Sequence, residues 1–266
     1  GVKLHDGLMV ESVLIPTESR TTACVSSQVG CSLNCEFCAT AKLKRMRNLE
    51  VAEIVDQVAL IDKQSKLYFD RPLSNIVFMG MGEPMMNYKN VVDAIKKITD
   101  EDGLGMSARR ITVSTSGIPK MMRMLADENL KVKLALSLHS AIEHKRNEIM
   151  PFSTKFPLTE IMEAMQYWYS KTENRITFEY CVWKGINDGD EDIKALIKYC
   201  KQVPCKVNLI QYNPIGEGKF DHRSIEAEEK YVRELEKAGI TALVRRSRGG
   251  DIDAACGQLA NKNSGE

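Results

Sequence analysis

The sequence predicts an α/β fold built on a parallel sheet, and three observations carry that expectation. Short runs rich in β-branched and apolar residues alternate with longer amphipathic stretches, the mark of repeated βα units. The alternation recurs without a linker, short repeat or low-complexity segment, which favours a single domain over residues 1–266. The unusual residues fall just after the strand candidates, where the carboxyl ends of a parallel sheet gather their chemistry.

Taken in order, residues 1–21 form an N-terminal strand extension containing a strand over 9–15, ahead of the first unit. Strands are expected at 22–28, 75–79, 110–114, 132–137, 176–181 and 206–211, where valine, isoleucine and threonine concentrate. Helices are expected at 51–66, 88–98, 120–129, 158–171, 191–200 and 225–238, each with apolar residues at helical spacing. A last strand at 241–244 leads into a cysteine-bearing loop, so 241–266 reads as a C-terminal strand and loop. Six βα units fall short of the eight that close a full barrel. A partial barrel or an open doubly wound sheet remains.

Composition narrows the function classes. With 43% hydrophobic and 27% charged residues the chain is neither a disordered tail protein nor a fibre. No apolar run approaches the roughly 18 residues of a membrane span, and no secretory signal opens the chain, so a soluble cytoplasmic protein with no membrane association is expected. Thirty-seven basic against 36 acidic residues exclude a uniformly basic nucleic-acid coat protein, though not a local basic mouth. Eight cysteines are too few for a disulfide scaffold, and Cys31, Cys35 and Cys38 crowd into one CxxxCxxC loop, which points to metal or redox chemistry.

Zinc commonly takes four ligands, often as two CxxC-like pairs, and no second pair lies nearby. Three thiolates suit three irons of a 4Fe-4S cluster whose fourth iron stays open. CxxxCxxC on the first strand-to-helix loop resembles the signature of radical S-adenosylmethionine enzymes, which implies a partial (β/α)6 TIM-like barrel with that cluster and S-adenosyl-L-methionine as cofactors. The resemblance assigns Gly82 and Glu83 of GMGEP to the cofactor's amino group, the glycine by allowing close backbone approach. It assigns Ser114, Ser137, Leu138, His139 and Asn213 to the remaining cofactor contacts. Phe37, between two ligands, is expected to shield the cluster.

CVSSQVGC, FMGMGEPMMN, TVSTSG, SLHS, NLIQYNP and DIDAACGQLA are similar to segments of the RlmN and Cfr type of radical RNA adenine methyltransferases, over residues 10–259. GMGEP and STSG resemble the C2-methylating RlmN branch; the C8-methylating Cfr branch tends to show GMGEA and STIG. The resemblance implies ribosomal RNA as substrate, with tRNA for the RlmN branch, an electron donor such as flavodoxin, and a monomer. It gives Cys256 the methyl taken from one adenosylmethionine, while radical cleavage of a second activates that methyl for addition to the ring. Cys24 then resolves the adduct as a disulfide, and Glu11 serves as the base. Family members usually carry an N-terminal helical domain that grips RNA, and this chain, which opens at Gly1, begins after it. A radical enzyme of the same family acting at C8 or on a non-RNA substrate, and an RNA-binding paralogue without turnover, are the alternatives.

Lys42, Lys44, Arg45 and Arg47 follow the cysteine loop, and Arg245, Arg246 and Arg248 precede Cys256. Both groups are expected to form a phosphate-binding rim. Cys181, Cys200 and Cys205 read as packing thiols.

Overall fold

A computed structural model of the chain describes residues 1–215, 224–246 and 248–261. A small antiparallel pair, β1 (Val2–Lys3) and β2 (Met9–Val10), precedes β3 (Val13–Pro16) and β4 (Thr21–Cys24). A second pair, β5 (Gln28–Val29) and β6 (Arg47–Asn48), leads into α1 (Val51–Phe69). Four units then follow as β7 (Asn75–Phe78) with α2 (Tyr88–Thr99), β8 (Ile111–Thr115) with α3 (Pro119–Asp127), β9 (Lys133–Ser137) with α4 (Glu143–Ile149) and α5 (Leu158–Thr172), and β10 (Ile176–Cys181) with α6 (Asp190–Cys200). The chain continues through β11 (Cys205–Ile210), α7 (Ile225–Lys237) and β12 (Ala242–Arg245).

Eight strands form one sheet in the order β12-β11-β10-β9-β8-β7-β4-β3, curled into a half-barrel. From β4 to β12 neighbours run parallel, and β3 closes the edge antiparallel to β4. All six residues of β10 are buried, as expected of a central parallel strand covered on both faces. Helix α1 shows how the outer layer attaches: Ile54, Gln57, Val58, Ile61 and Ser65 form its buried face at three- and four-residue spacing. Its first turn is fixed by the Glu53 carboxylate, which accepts the Glu50 N–H at 2.8 Å.

Three expectations need correction. The strand expected over 9–15 is two strands, because the Glu11 carbonyl accepts the Ser26 hydroxyl at 2.6 Å and the Glu11 N–H points at Met81 Sδ. The strand expected over 22–28 ends at Cys24; the Ser26 N–H turns aside to Gln57 Oε1, and those of Ser27 and Gln28 to the Met81 carbonyl. The β9-to-β10 crossover holds an unexpected helix, α4, whose seven residues are too few to display periodicity and whose buried face includes Arg146. Residues 247 and 262–266 of the expected C-terminal segment lie outside the described residues. No helix among the described residues is long and apolar enough to cross a membrane.

Candidate active site at the carboxyl ends of the strands

The β5–β6 pair pinches off the loop that carries the three clustered cysteines. Gly30 makes this closure possible at φ +72°, since a Cβ there would lie 2.3 Å from the Lys44 carbonyl oxygen. Cys31, Cys35 and Cys38 all line one cavity, and all three are free thiols. The Ser32 and Leu33 N–H groups are aimed at the Cys31 sulfur, and those of Thr40 and Ala41 at the Cys38 sulfur. Burial pushes the Cys31 thiol up to about 11 and raises the other two. Phe37 faces the same cavity and packs its ring edge-on against His139, 4.6 Å between centroids.

Glu83 is 3% exposed and lines the cavity; Oε1 accepts the Met85 N–H at 3.0 Å and Oε2 the Ser116 N–H at 2.8 Å. Burial raises its pKa against the pull of these donors. Gly82 is required for a reason that residue order does not disclose. At φ +93° its absent Cβ would stand 2.5 Å from Gln28 Cβ, so the glycine admits Gln28 while its own backbone lines the cavity. Gln28 in turn accepts the Glu83 N–H at 2.9 Å and donates to Asn48 at 2.8 Å, joining this loop to the base of the cysteine loop.

Ser114, Ser137, His139 and Asn213 line the cavity at the ends of β8, β9 and β11. His139 holds φ +56°, a strained conformation for a non-glycine residue. Its Nδ1 accepts the Cys181 N–H at 3.1 Å, and burial pushes its pKa down to about 3, so the ring stays neutral with Nε2 as donor. Asn187, fully buried, donates to the His139 carbonyl at 2.7 Å and fixes that turn. Leu138 is wholly buried and lies outside the cavity lining; its N–H donates to the Glu179 carbonyl at 3.0 Å.

Cys256 lines the same cavity, and its carbonyl accepts Asn213 Nδ2 at 3.3 Å. The two loops are stitched together where the Ala39 N–H meets the Gly257 carbonyl at 2.7 Å. Cys24, the last residue of β4, is buried behind the lining, where desolvation and then the neighbouring Cys256 thiolate push its thiol up to about 12. Between them sits an ion pair that the motifs do not announce: Glu179, 4% exposed, meets Arg245 at 3.4 Å and accepts Asn208 Nδ2 at 2.9 Å. Its signal in the sequence is one acid inside the apolar strand ITFEYC, level with Asn208 on β11. Desolvation pushes the Cys256 thiol up, and Arg245 draws it back down. Glu11 also lies outside the lining; its carboxylate accepts the backbone N–H groups of Ala260 and Asn261.

The basic rim is smaller than expected. Arg47 is bound to Asp6 at 2.7 Å and to Glu53 at 2.7 and 2.8 Å, and Arg245 turns inward to Glu179, so neither is free for phosphate. Lys42, Lys44, Arg45, Arg246 and Arg248 are exposed.

This geometry can be set beside known proteins. The Radical SAM superfamily model matches residues 25–200. The probable dual-specificity RNA methyltransferase RlmN of Flavobacterium psychrophilum is 69% identical over 98% of this chain and 75% of its own length. That of Christiangramia forsetii is 68% identical over 99% of this chain and 75% of its own. The chain belongs to the RlmN family of radical SAM RNA methyltransferases. The fold agrees, since the crystal structure of a radical SAM methyltransferase from Sphaerobacter thermophilus superposes with a TM-score of 0.94 at 41% identity, covering 97% of this chain and 75% of that one.

Radical SAM enzymes such as the RlmN family use a 4Fe-4S cluster and S-adenosylmethionine. The donor set fits both. Among the described residues no three His, Cys, Asp or Glu side chains converge on one metal-sized point. Thiolates that each bind a different iron have no need to converge, and backbone N–H groups aimed at two of the sulfurs stabilise their anionic form. Glu83, carried by a loop facing the cysteines, offers a buried anion for an ammonium group.

Proposed function

We propose that the chain methylates C2 of an adenosine in ribosomal RNA and in tRNA, using Cys256 as methyl carrier and Cys24 as the resolving thiol. The observation that carries the reading is that Cys256 shares one cavity with Cys31, Cys35 and Cys38 and lies close enough to Cys24 for its charge to be felt there. The RNA methyltransferase names of relatives 65–69% identical, together with GMGEP and STSG, support the C2 branch. When bound, the cluster and adenosylmethionine supply one-electron reduction, a methyl group and hydrogen abstraction.

The residues divide the remaining work. Cys31, Cys35 and Cys38 hold the cluster, and Glu83 with Gly82 receives the amino group of adenosylmethionine. Ser114, Ser137, the Leu138 main chain, His139 and Asn213 orient the rest of that molecule. Neutral His139 contributes a donor at Nε2 that does not change with pH in the working range. Arg245 favours the Cys256 thiolate, the form that accepts a methyl. Once the methyl carbon is bonded to both Cys256 sulfur and the ring, the C2 proton leaves and the Cys24 thiolate attacks the Cys256 sulfur. The carbon–sulfur bond breaks with its electron pair on carbon, that carbon takes up a proton to complete the methyl group, the one electron left by radical addition would pass to the cluster when it is bound, and a Cys24–Cys256 disulfide forms. Phe37, His139 and Tyr212 line the cavity with buried Trp183 packed behind them, an aromatic wall against water.

The reading carries with it one catalytic domain over residues 1–266, a monomer working in the cytoplasm, and a flavodoxin-type electron donor. Its test is mass analysis of ribosomal and transfer RNA treated with the reconstituted protein, alongside the Cys256 peptide. A methyl on adenine C2 and a methyl on Cys256 are expected; methylation at C8, or of no RNA at all, overturns it.

A further inference from the structure

The Cys256 loop hangs between two supports. On the inner side the Ala39 N–H and the Thr40 hydroxyl hold the carbonyls of Gly257 and Leu259 at 2.7 and 2.6 Å. On the outer side Glu11 Oε2 receives the N–H groups of Ala260 and Asn261, both at 2.9 Å, and Asn261 Nδ2 reaches the Met9 carbonyl at 2.9 Å. Glu11 is itself pinned, because its carbonyl takes the Ser26 hydroxyl at 2.6 Å and Ser26 Oγ takes the Met81 N–H at 2.8 Å. Since Met81 opens the turn to Gly82 and Glu83, the outer support is referenced to the same loop that lines the cofactor cavity.

The glycines flanking Cys256 explain why an outer support is needed. Gly249 and Gly257 sit at φ +77° and +83°, and such positions leave a short loop with many alternatives in the absence of external bonds. We infer that Glu11 is the positioning residue for Cys256: its carboxylate grips the backbone four and five residues beyond the thiol and so sets the thiol's place in the cavity. Two N–H groups converge on a single oxygen, and the carboxylate stands outside the cavity lining, so its geometry is directed at the chain rather than at a base's ring proton. This assignment rests on the methyl-carrying role given to Cys256 above.

The test compares the full-length wild type with E11A, E11Q and E11D. Amide hydrogen exchange over residues 255–261 reads the grip directly, and the fraction of Cys256 methylated by adenosylmethionine in the reconstituted protein reads its consequence. E11A should exchange about tenfold faster at Ala260 and Asn261, the factor carried by 1.4 kcal/mol, and should lose most of its Cys256 methylation. E11Q should stay near wild type in both, because an amide oxygen also accepts two hydrogen bonds. If E11A does not fold, E11D replaces it, since its shortened side chain withdraws the acceptor while keeping the acid. Unchanged exchange in E11A or E11D overturns the inference. So does full Cys256 methylation in E11A and E11Q with both equally dead on RNA, the pattern of a base. A wild type that carries no methyl on Cys256 refutes the proposed function, while the exchange result still decides the grip.

Discussion

The Thr40 hydroxyl donates to the Leu259 carbonyl at 2.6 Å, joining the cysteine loop to the Cys256 loop across 219 residues of chain. Thr40→Val keeps the shape and leaves that carbonyl without its donor. The expected cost is about 1–2 kcal/mol of stability, read from the denaturant midpoint. Iron content should hold while Cys256 methylation falls.

The cysteine loop sets a stoichiometry. Anaerobic reconstitution should yield about four irons and four sulfides per chain. Alanine at Cys31, Cys35 or Cys38 should abolish the brown absorbance. Tightly bound zinc without sulfide in anaerobic protein would sink the cluster assignment.

On the proposed roles, Cys256 and Cys24 should fail differently, because they would act at opposite ends of the covalent intermediate. Cys256→Ala should neither take a methyl nor capture RNA. Cys24→Ala should take the methyl and add to adenine but not resolve the adduct, so protein cross-linked to RNA should accumulate on denaturing gels. Identical behaviour of the two variants refutes the thiol roles.

Arg245 offsets the buried charge of Glu179, whose pKa burial raises. Arg245→Met should cost about 1–3 kcal/mol at pH 7, below the range for a fully enclosed pair because the guanidinium is 40% exposed. A carboxyl whose pKa is raised in the folded state binds its proton there more readily than in the unfolded chain. Stability therefore falls as pH rises from the ordinary carboxylate range to the raised value. Removing Arg245 should raise that value further and deepen the fall. Melting temperatures of both proteins across pH 4 to 8 check it; parallel curves would exclude the coupling.

The exposed basic residues make a prediction about salt. Lys42→Glu, Lys44→Glu and Arg45→Glu together should weaken RNA binding and flatten its dependence on salt by about 0.7–0.9 for each phosphate no longer neutralised. Arg47→Glu should instead destabilise the fold, since Arg47 bridges Asp6 and Glu53. Filter binding at several salt concentrations and a melting curve separate the two outcomes.

Much of this is legible in residue order, and the failures share a physical cause. Strands 176–181 and 206–211 stand out because buried parallel strands read as apolar runs, and the cysteine loop because its spacing is chemical rather than structural. Ser114, Ser137, His139, Asn213 and Cys256 come together at one cavity as expected. What stays hidden are side chains that spend their polarity on backbone far away in sequence. Arg47 and Arg245 look like solvent cations until their acids, Asp6 and Glu179, are seen beside them. Gln28, unremarked inside CVSSQVGC, and Asn187, in no motif, hold Glu83 and His139 in place. Helix α4 escapes because a buried arginine occupies a position that periodicity scores as polar.

The grip of Glu11 on Ala260 and Asn261 spans 249 and 250 residues of sequence. A ribosome extends a chain by about 5–20 residues per second, so roughly 12–50 seconds separate the synthesis of the two halves of that grip. The half-barrel can close around its cysteines during this interval while Cys256 has yet to be made. Completion of the Cys256 loop is therefore a late event in the life of each molecule, and a chain cut short before residue 260 would keep the inner bonds from Ala39 and Thr40 but lack the outer support of Glu11.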